Sequence, residues 1–212
     1  VFRLNLHGEK WKKKYIEPYK KGKSVWVTVW AAIWRKNRSD LVRLERDFEA
    51  KKQGYTTKSY IALLDEMMPT IWEPGLTFMH GNAPNHSAKK VTIWLQDNAI
   101  PSMEWPPYSP DLNLIEHMWF PLKEGVYDLD PAIENCKGLN DKEEILGEAL
   151  EQSWTLISQD IQDALRRSMK HRVEAVLEAK GWYTKYYAIF PILLHIFKIP
   201  AVYFPCNIFN SI

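Results

Sequence analysis

The residues best suited to chemistry gather in two short blocks. The first is His80-Gly81-Asn82-Ala83-Pro84-Asn85-His86, which follows an apolar run at 76–79. The second is Trp105-Pro106-Pro107-Tyr108-Ser109-Pro110-Asp111-Leu112-Asn113-Leu114-Ile115-Glu116, which continues into His117, Met118 and Trp119. Its prolines fix an extended loop, Asp111 or Asn113 can cap the helix that follows, and Glu116 then falls in that helix's first turn. Such a loop is built to aim a carboxylate. An acid in a first turn is also simply favoured by the helix dipole, so position alone does not give Glu116 a chemical role. The difference 116 minus 81 is 35, so 34 residues separate Gly81 from Glu116. His80, His86 and His117 lack the tight spacing of a transition-metal site and read as structural, while Asp111 and Asn113 read as caps rather than ligands.

The elements that must hold these blocks are legible in outline. Residues 24–34 form the clearest strand, β-branched and aromatic throughout, and their nearly continuous apolar character predicts a central strand covered on both faces. A turn at 35–39 leads to a shorter antiparallel partner at 40–45, making a hairpin. A helix capped by Thr56 or Thr57 carries Tyr60, Leu63, Leu64 and Met67 on one stripe, with Pro69 ending or bending it. Residues 76–79 read as a short buried strand, a helix follows from about Ser87, and 100–104 reads as a brief strand before the proline loop. Pro121 and Gly125 weaken the helix that carries Glu116 and predict a kink or early end near Phe120. Beyond Gly138 the chain reads as helical: Asp141 and Glu144 as a capping box, a second helix from Ser158, and a third from about Ser168 that stops at Gly181.

At the two blocks the sequence resembles the catalytic domain of the Tc/mariner superfamily of DDE transposases. The pattern of that family reads Gln-Asp-Asn-Ala-Pro-x-His and then Trp-Pro-Pro-x-Ser-Pro-Asp-Leu-Asn-Pro-Ile-Glu, with its second and third catalytic acids 34 residues apart. The resemblance runs over residues 1–186 and implies an α/β, ribonuclease-H-like mixed sheet flanked by helices, with a helical C-terminal part. It implies three carboxylates holding two Mg2+ ions for DNA cleavage and transfer, hence DNA as partner, possible homo-oligomers and a nuclear or other intracellular setting. This chain departs from the pattern. Gly81 stands at the position of the second catalytic aspartate, His80 where the family has glutamine, Leu114 where it has proline. The first aspartate would lie on a strand upstream of Val1. Glu116 is the remaining catalytic and metal-binding acid, so the expectation is a transposase-derived, nucleic-acid-binding domain that is catalytically inactive and holds Mg2+ weakly if at all. A fragment of an active metal-dependent DNA transposase is the alternative.

Composition fits that outline. With 212 residues the chain is long enough for one sizeable core. The net charge is only +2, yet residues 1–50 hold 13 Lys and Arg against 6 Asp and Glu, a local +7. Within that stretch Lys12, Lys13, Lys14, Lys20, Lys21 and Lys23 are interleaved with Trp11, Tyr15 and Tyr19, offering phosphate contacts beside rings that can stack on bases. Lys89 and Lys90, after the first block, could also meet phosphate. A plain solvated surface is the competing reading of both groups. Cys136 and Cys206 form no paired motif, which argues against a zinc knuckle or disulfide framework, and the first residues do not have the pattern of a secretory signal. Residues 187–212 change to apolar runs broken by prolines, His195 and Lys198. They are expected to be a tail outside the domain, too interrupted to span a membrane, with an interaction or membrane-associated module as a further alternative.

Overall fold

The computed structural model describes residues 27–130, 139–186 and 201–210. In chain order these form β1 (Val27–Trp34), β2 (Asn37–Arg38), β3 (Val42–Arg43), α1 (Thr57–Ile71), β4 (Leu76–His80), α2 (Lys89–Asp97), α3 (Leu114–Leu129), α4 (Leu139–Leu156), α5 (Gln159–Glu178) and β5 (Ala201–Asn210). The class is mixed α/β: β5 pairs in parallel with β1 and antiparallel with β4, while β2 and β3 pair antiparallel with β1.

All eight positions of β1 are buried. Side chains alternate across a strand, so a run apolar at every position needs cover on both faces. One core takes Trp30, Ala32 and Trp34 against α1, α2 and Leu76 and Phe78 of β4. The other takes Val27, Val29, Ala31 and Ile33 against α3 and α4. Trp30 is wholly buried, and burial of one large apolar side chain is worth about 1.5–3 kcal/mol.

The partner of β1 is split in two, and Ser39 is the reason. Its hydroxyl accepts from the Ala32 amide at 2.9 Å, its amide donates to the Ala32 carbonyl at 2.9 Å, and its carbonyl accepts the Trp154 indole N–H at 2.8 Å. A side chain thus replaces one rung of the ladder between β2 and β3.

Both prolines expected to break helices lie inside them: Pro69 in α1 and Pro121 in α3, which continues to Leu129. Tertiary packing outweighs the lost backbone bonds. In α3, Ile115, Met118, Trp119, Leu122 and Val126 are all buried against the second core. Gly125 is a close-approach point, since a Cβ there would collide with the Ser153 side chain of α4, whose hydroxyl donates to the Leu122 carbonyl at 2.7 Å. The helices expected on either side of Ser168 are one, α5, capped by Ser158. Ser168 does not cap because its side chain is engaged within the helix, donating to the Leu165 carbonyl at 2.6 Å and accepting from Arg172 Nε at 2.8 Å. α4 begins at Leu139, which puts Asp141 inside the helix rather than at its cap. Residues 100–104 supply one bridge, Phe78 to Ser102, in place of a strand.

The sequence places residues 187–212 outside the domain, as a tail. Ala201–Asn210 lies within the sheet, in the order β2-β1-β5-β4. β1 and β4 each offer it an edge.

Candidate functional site at the two motif blocks

The first block begins where β4 ends. His80 is the last residue of the strand and Gly81 follows it, half-buried. Around them stands a stack of rings. His80 and His86 are parallel, centroids 5.0 Å apart and 1° between planes, and Tyr60 from α1 lies 4.4 Å from His86. The Tyr60 hydroxyl is 3.2 Å from His80 Nδ1, and His86 Nδ1 is 2.9 Å from the Gly81 carbonyl. A carbonyl can only accept, so His86 carries its proton on Nδ1. Burial, and secondarily the neighbouring His86, pushes His80 down to about 3. Burial pushes His86 down to about 4, against the pull of the Gly81 carbonyl. Both rings are neutral at physiological pH.

The second block is tied to the first. Segment 101–103 runs beside β4, with the Phe78 amide donating to the Pro101 carbonyl and the Met103 amide to the Phe78 carbonyl, both at 2.8 Å. Asn82 Nδ2 donates to the Trp105 carbonyl at 2.9 Å. The proline loop then turns through Tyr108, whose φ is +56°, and enters α3 at Leu114. Neither residue expected to cap α3 does so through its side chain. Asn113 is the N-cap by position without a side-chain capping bond, and Asp111 faces elsewhere. The Asp111 carboxylate accepts from the Thr184 hydroxyl at 2.9 Å, and its carbonyl accepts from Arg172 Nη1 at 2.6 Å.

Arg172 stands apart from the other cations of α5. It is 2% exposed, lies 2.6 Å from His117 Nε2, and sits 4.6 Å from the ring centre of Tyr186. His117 is held down to about 4, by burial first and by Arg172 second. A neutral imidazole with Nε2 free to accept meets the guanidinium N–H. The available signal was helical spacing: Arg172 lies four residues beyond Ser168 on a helix whose other cations, Arg166, Arg167 and Lys170, are exposed.

Glu116 lies in the first turn of α3 and is partly buried. Burial pushes its carboxyl up to about 8, opposed by the charge of Lys123. Lys123, two turns along the same helix, is itself buried, and burial lowers its pKa while Glu116 raises it. The acid is therefore largely protonated near neutrality. Magnesium needs several well-placed oxygens and releases its waters reluctantly. One partly buried carboxyl beside a lysine does not fit a pair of such ions, and Gly81 has no side chain with which to add an oxygen. Among the described residues no three His, Cys, Asp or Glu side chains are gathered as a metal group. Lys89 and Lys90 are exposed at the start of α2, whereas Lys12, Lys13, Lys14, Lys20, Lys21 and Lys23 lie outside the described residues.

The stretch that holds both blocks falls within a family match. A family model described as DDE superfamily endonuclease matches residues 3–137, more than half of the chain. The chain is 34% identical over 109 residues to the transposable element Tcb1 transposase of Caenorhabditis briggsae, a match covering 51% of this chain and 37% of that protein. It is 32% identical over 112 residues to the Tc1 transposase of Caenorhabditis elegans, covering 53% of this chain and 38% of that protein. With the Tc3 transposase of the same nematode it shares 26% identity over 157 residues, 73% of this chain and 44% of the relative. In each case the chain spans less than half of the relative's length. From the family match and these relatives together, the chain belongs to the DDE endonuclease superfamily, as a transposase domain of Tc/mariner type.

Proposed function

We propose that this chain is a transposase-derived domain of ribonuclease-H-like design that binds DNA and no longer performs metal-dependent strand transfer. The observation that carries this reading is the acid set. Gly81 stands where the resemblance puts the second aspartate, and burial pushes the Glu116 carboxyl up to about 8 against the charge of Lys123. The strand beside β4 adds no carboxylate: His80 pairs with Cys206, and Ala201–Asn210 contains neither Asp nor Glu. Two-metal catalysis holds the ions about 3.5–4 Å apart between carboxylates. Each tenfold in rate is about 1.4 kcal/mol of barrier, so absence of the second acid alone, at about 3 kcal/mol, would slow the reaction roughly a hundredfold. DNA contacts would come from Lys89 and Lys90 and from the basic stretch at residues 10–23. The setting that goes with this reading is nuclear, and the domain comprises residues 1–186 together with β5.

A longer active enzyme of which this is one part is the second reading, favoured by the chain's short span of its relatives. Gly81 counts against it, because a strand supplied from elsewhere could restore the first aspartate but not the second. The test is incubation of terminal-repeat DNA with Mg2+ or Mn2+. No nicking is expected above background. Metal-dependent nicking that Glu116→Gln abolishes would overturn the inactive reading.

A further inference from the structure

The proline loop and the end of α5 enclose a recess of about 240 Å³, walled by Tyr108 on one side and Trp182 and Tyr183 on the other. All three rings face solvent, with Tyr108 at 90% and Trp182 at 73% exposure. Tryptophan is ordinarily well buried, and several large rings exposed around one hollow mark an interaction surface. Tyr108 is held in the left-handed region, where side chains are disfavoured, at φ +56°. A glycine there would remove that strain, so the ring is not present for the sake of the turn.

The recess is also preformed. The Thr184 hydroxyl and Arg172 both bind Asp111, fixing the loop to the segment that carries Trp182 and Tyr183. Trp182 and Tyr183 pack edge to face at 5.1 Å, which sets the angle of that wall. Lys180 and Lys185 are exposed on either side of the two rings in sequence. Rigid aromatic faces flanked by ammonium groups suit an unpaired nucleobase, with the rings stacking on the base and the lysines meeting the phosphates.

We infer that Tyr108, Trp182 and Tyr183 form a stacking site for unpaired bases of single-stranded DNA, with Lys180 and Lys185 on its phosphates. This inference rests on the DNA-binding reading above and adds a preference for unpaired strands. Base stacking on one aromatic residue contributes enough that its removal weakens binding about tenfold.

The test uses the full chain with a fluorescein-labelled oligothymidylate and a duplex of equal length, read by anisotropy. Trp182→Ala and Tyr108→Gly are each expected to weaken the single strand about tenfold and the duplex less than about twofold. Oligothymidylate should also quench a component of tryptophan emission that Trp182→Ala lacks. Both positions are exposed, and circular dichroism of the variants should match the parent. Unchanged single-strand affinity in both variants overturns this site alone and leaves general DNA binding standing. Equal weakening of duplex and single strand overturns it too, because phosphate contact would then be the whole effect. A variant that changes the sedimenting species without changing DNA affinity assigns the patch to protein contact and overturns it. Absence of any DNA binding by the parent removes this inference together with the DNA-binding reading.

Discussion

The two motif blocks have met different fates. At the second, the proline loop is clamped from three directions: Arg172 and Thr184 hold Asp111, Asn82 holds Trp105, and Ile115, Met118 and Trp119 are buried in the core. At the first, Tyr60, His80 and His86 form a neutral stack that meets the carbonyl of Gly81 through His86. Side chains with packing duties keep a scaffold in place whether or not any chemistry occurs. A carboxylate whose purpose is to hold metal has no such second duty, and its burial without metal is costly. Packing and charge are thus under separate demands, and fold and activity have to be argued separately.

The largest test of this contrast is acid stability. His80, His86 and His117 have folded pKa values near 3, 4 and 4 against an unfolded value of 6.5. Their contribution is present above pH 6.5 and is lost as pH falls toward 4, since the unfolded chain takes up protons that the folded one refuses. Glu116 has the opposite sign: its folded value, about 8, exceeds the ordinary 4.5, so its contribution is full below pH 4.5 and fades as pH rises through 8. Each group changes stability by at most about 1.4 kcal/mol per pH unit. Urea titrations should thus show maximal stability near pH 6.5, a loss of several kcal/mol toward pH 4.5, and a gentler decline on the alkaline side that Glu116→Gln removes. A flat profile from pH 4.5 to 7 would show that the histidines are open to water.

Removing the clamp comes next. Arg172→Ala strips the Asp111 carbonyl, His117 and Ser168 of a buried donor, and a cost of about 3 kcal/mol in the unfolding midpoint is expected, with Arg172→Lys recovering part. An equal and small effect from Arg166→Ala would break the distinction between the buried guanidinium and its exposed neighbours. Gly125→Ala should cost about 1–3 kcal/mol by driving a methyl into Ser153, and Ser153→Gly in the same chain should restore much of it. The smallest expected effect is that of Mg2+ on melting: no shift in the parent or in Glu116→Gln. A shift in the parent that the variant loses would restore the metal-site reading, because a bound ion stabilises the state that binds it.

Much of the site's scaffolding is legible from local chemistry. The apolar run of β1, the Thr56 cap of α1 and the strand closing at His80 follow from periodicity and turn residues within a few positions of one another. What escapes such a reading depends on distant partners. Pro69 and Pro121 pass as helical residues only because other elements pack around them, and the split opposite β1 needs Trp154 to fix Ser39 across 115 positions. Arg172 looks like a surface cation until Asp111 and His117 arrive from 61 and 55 positions away. The neutrality of Glu116 arises the same way, from desolvation, which no spacing rule records.

The place of β5 also bears on how the protein matures on the ribosome. It is synthesised after every described helix, yet it sits between β1 and β4, strands that do not pair with one another. Until its ten residues emerge, both neighbours expose unsatisfied amides and carbonyls, and these must be shielded by chaperone or by speed. Closure across so long a stretch of sequence makes this a slow-folding topology, in which the facing edges of β1 and β4 stay open to other chains until β5 docks.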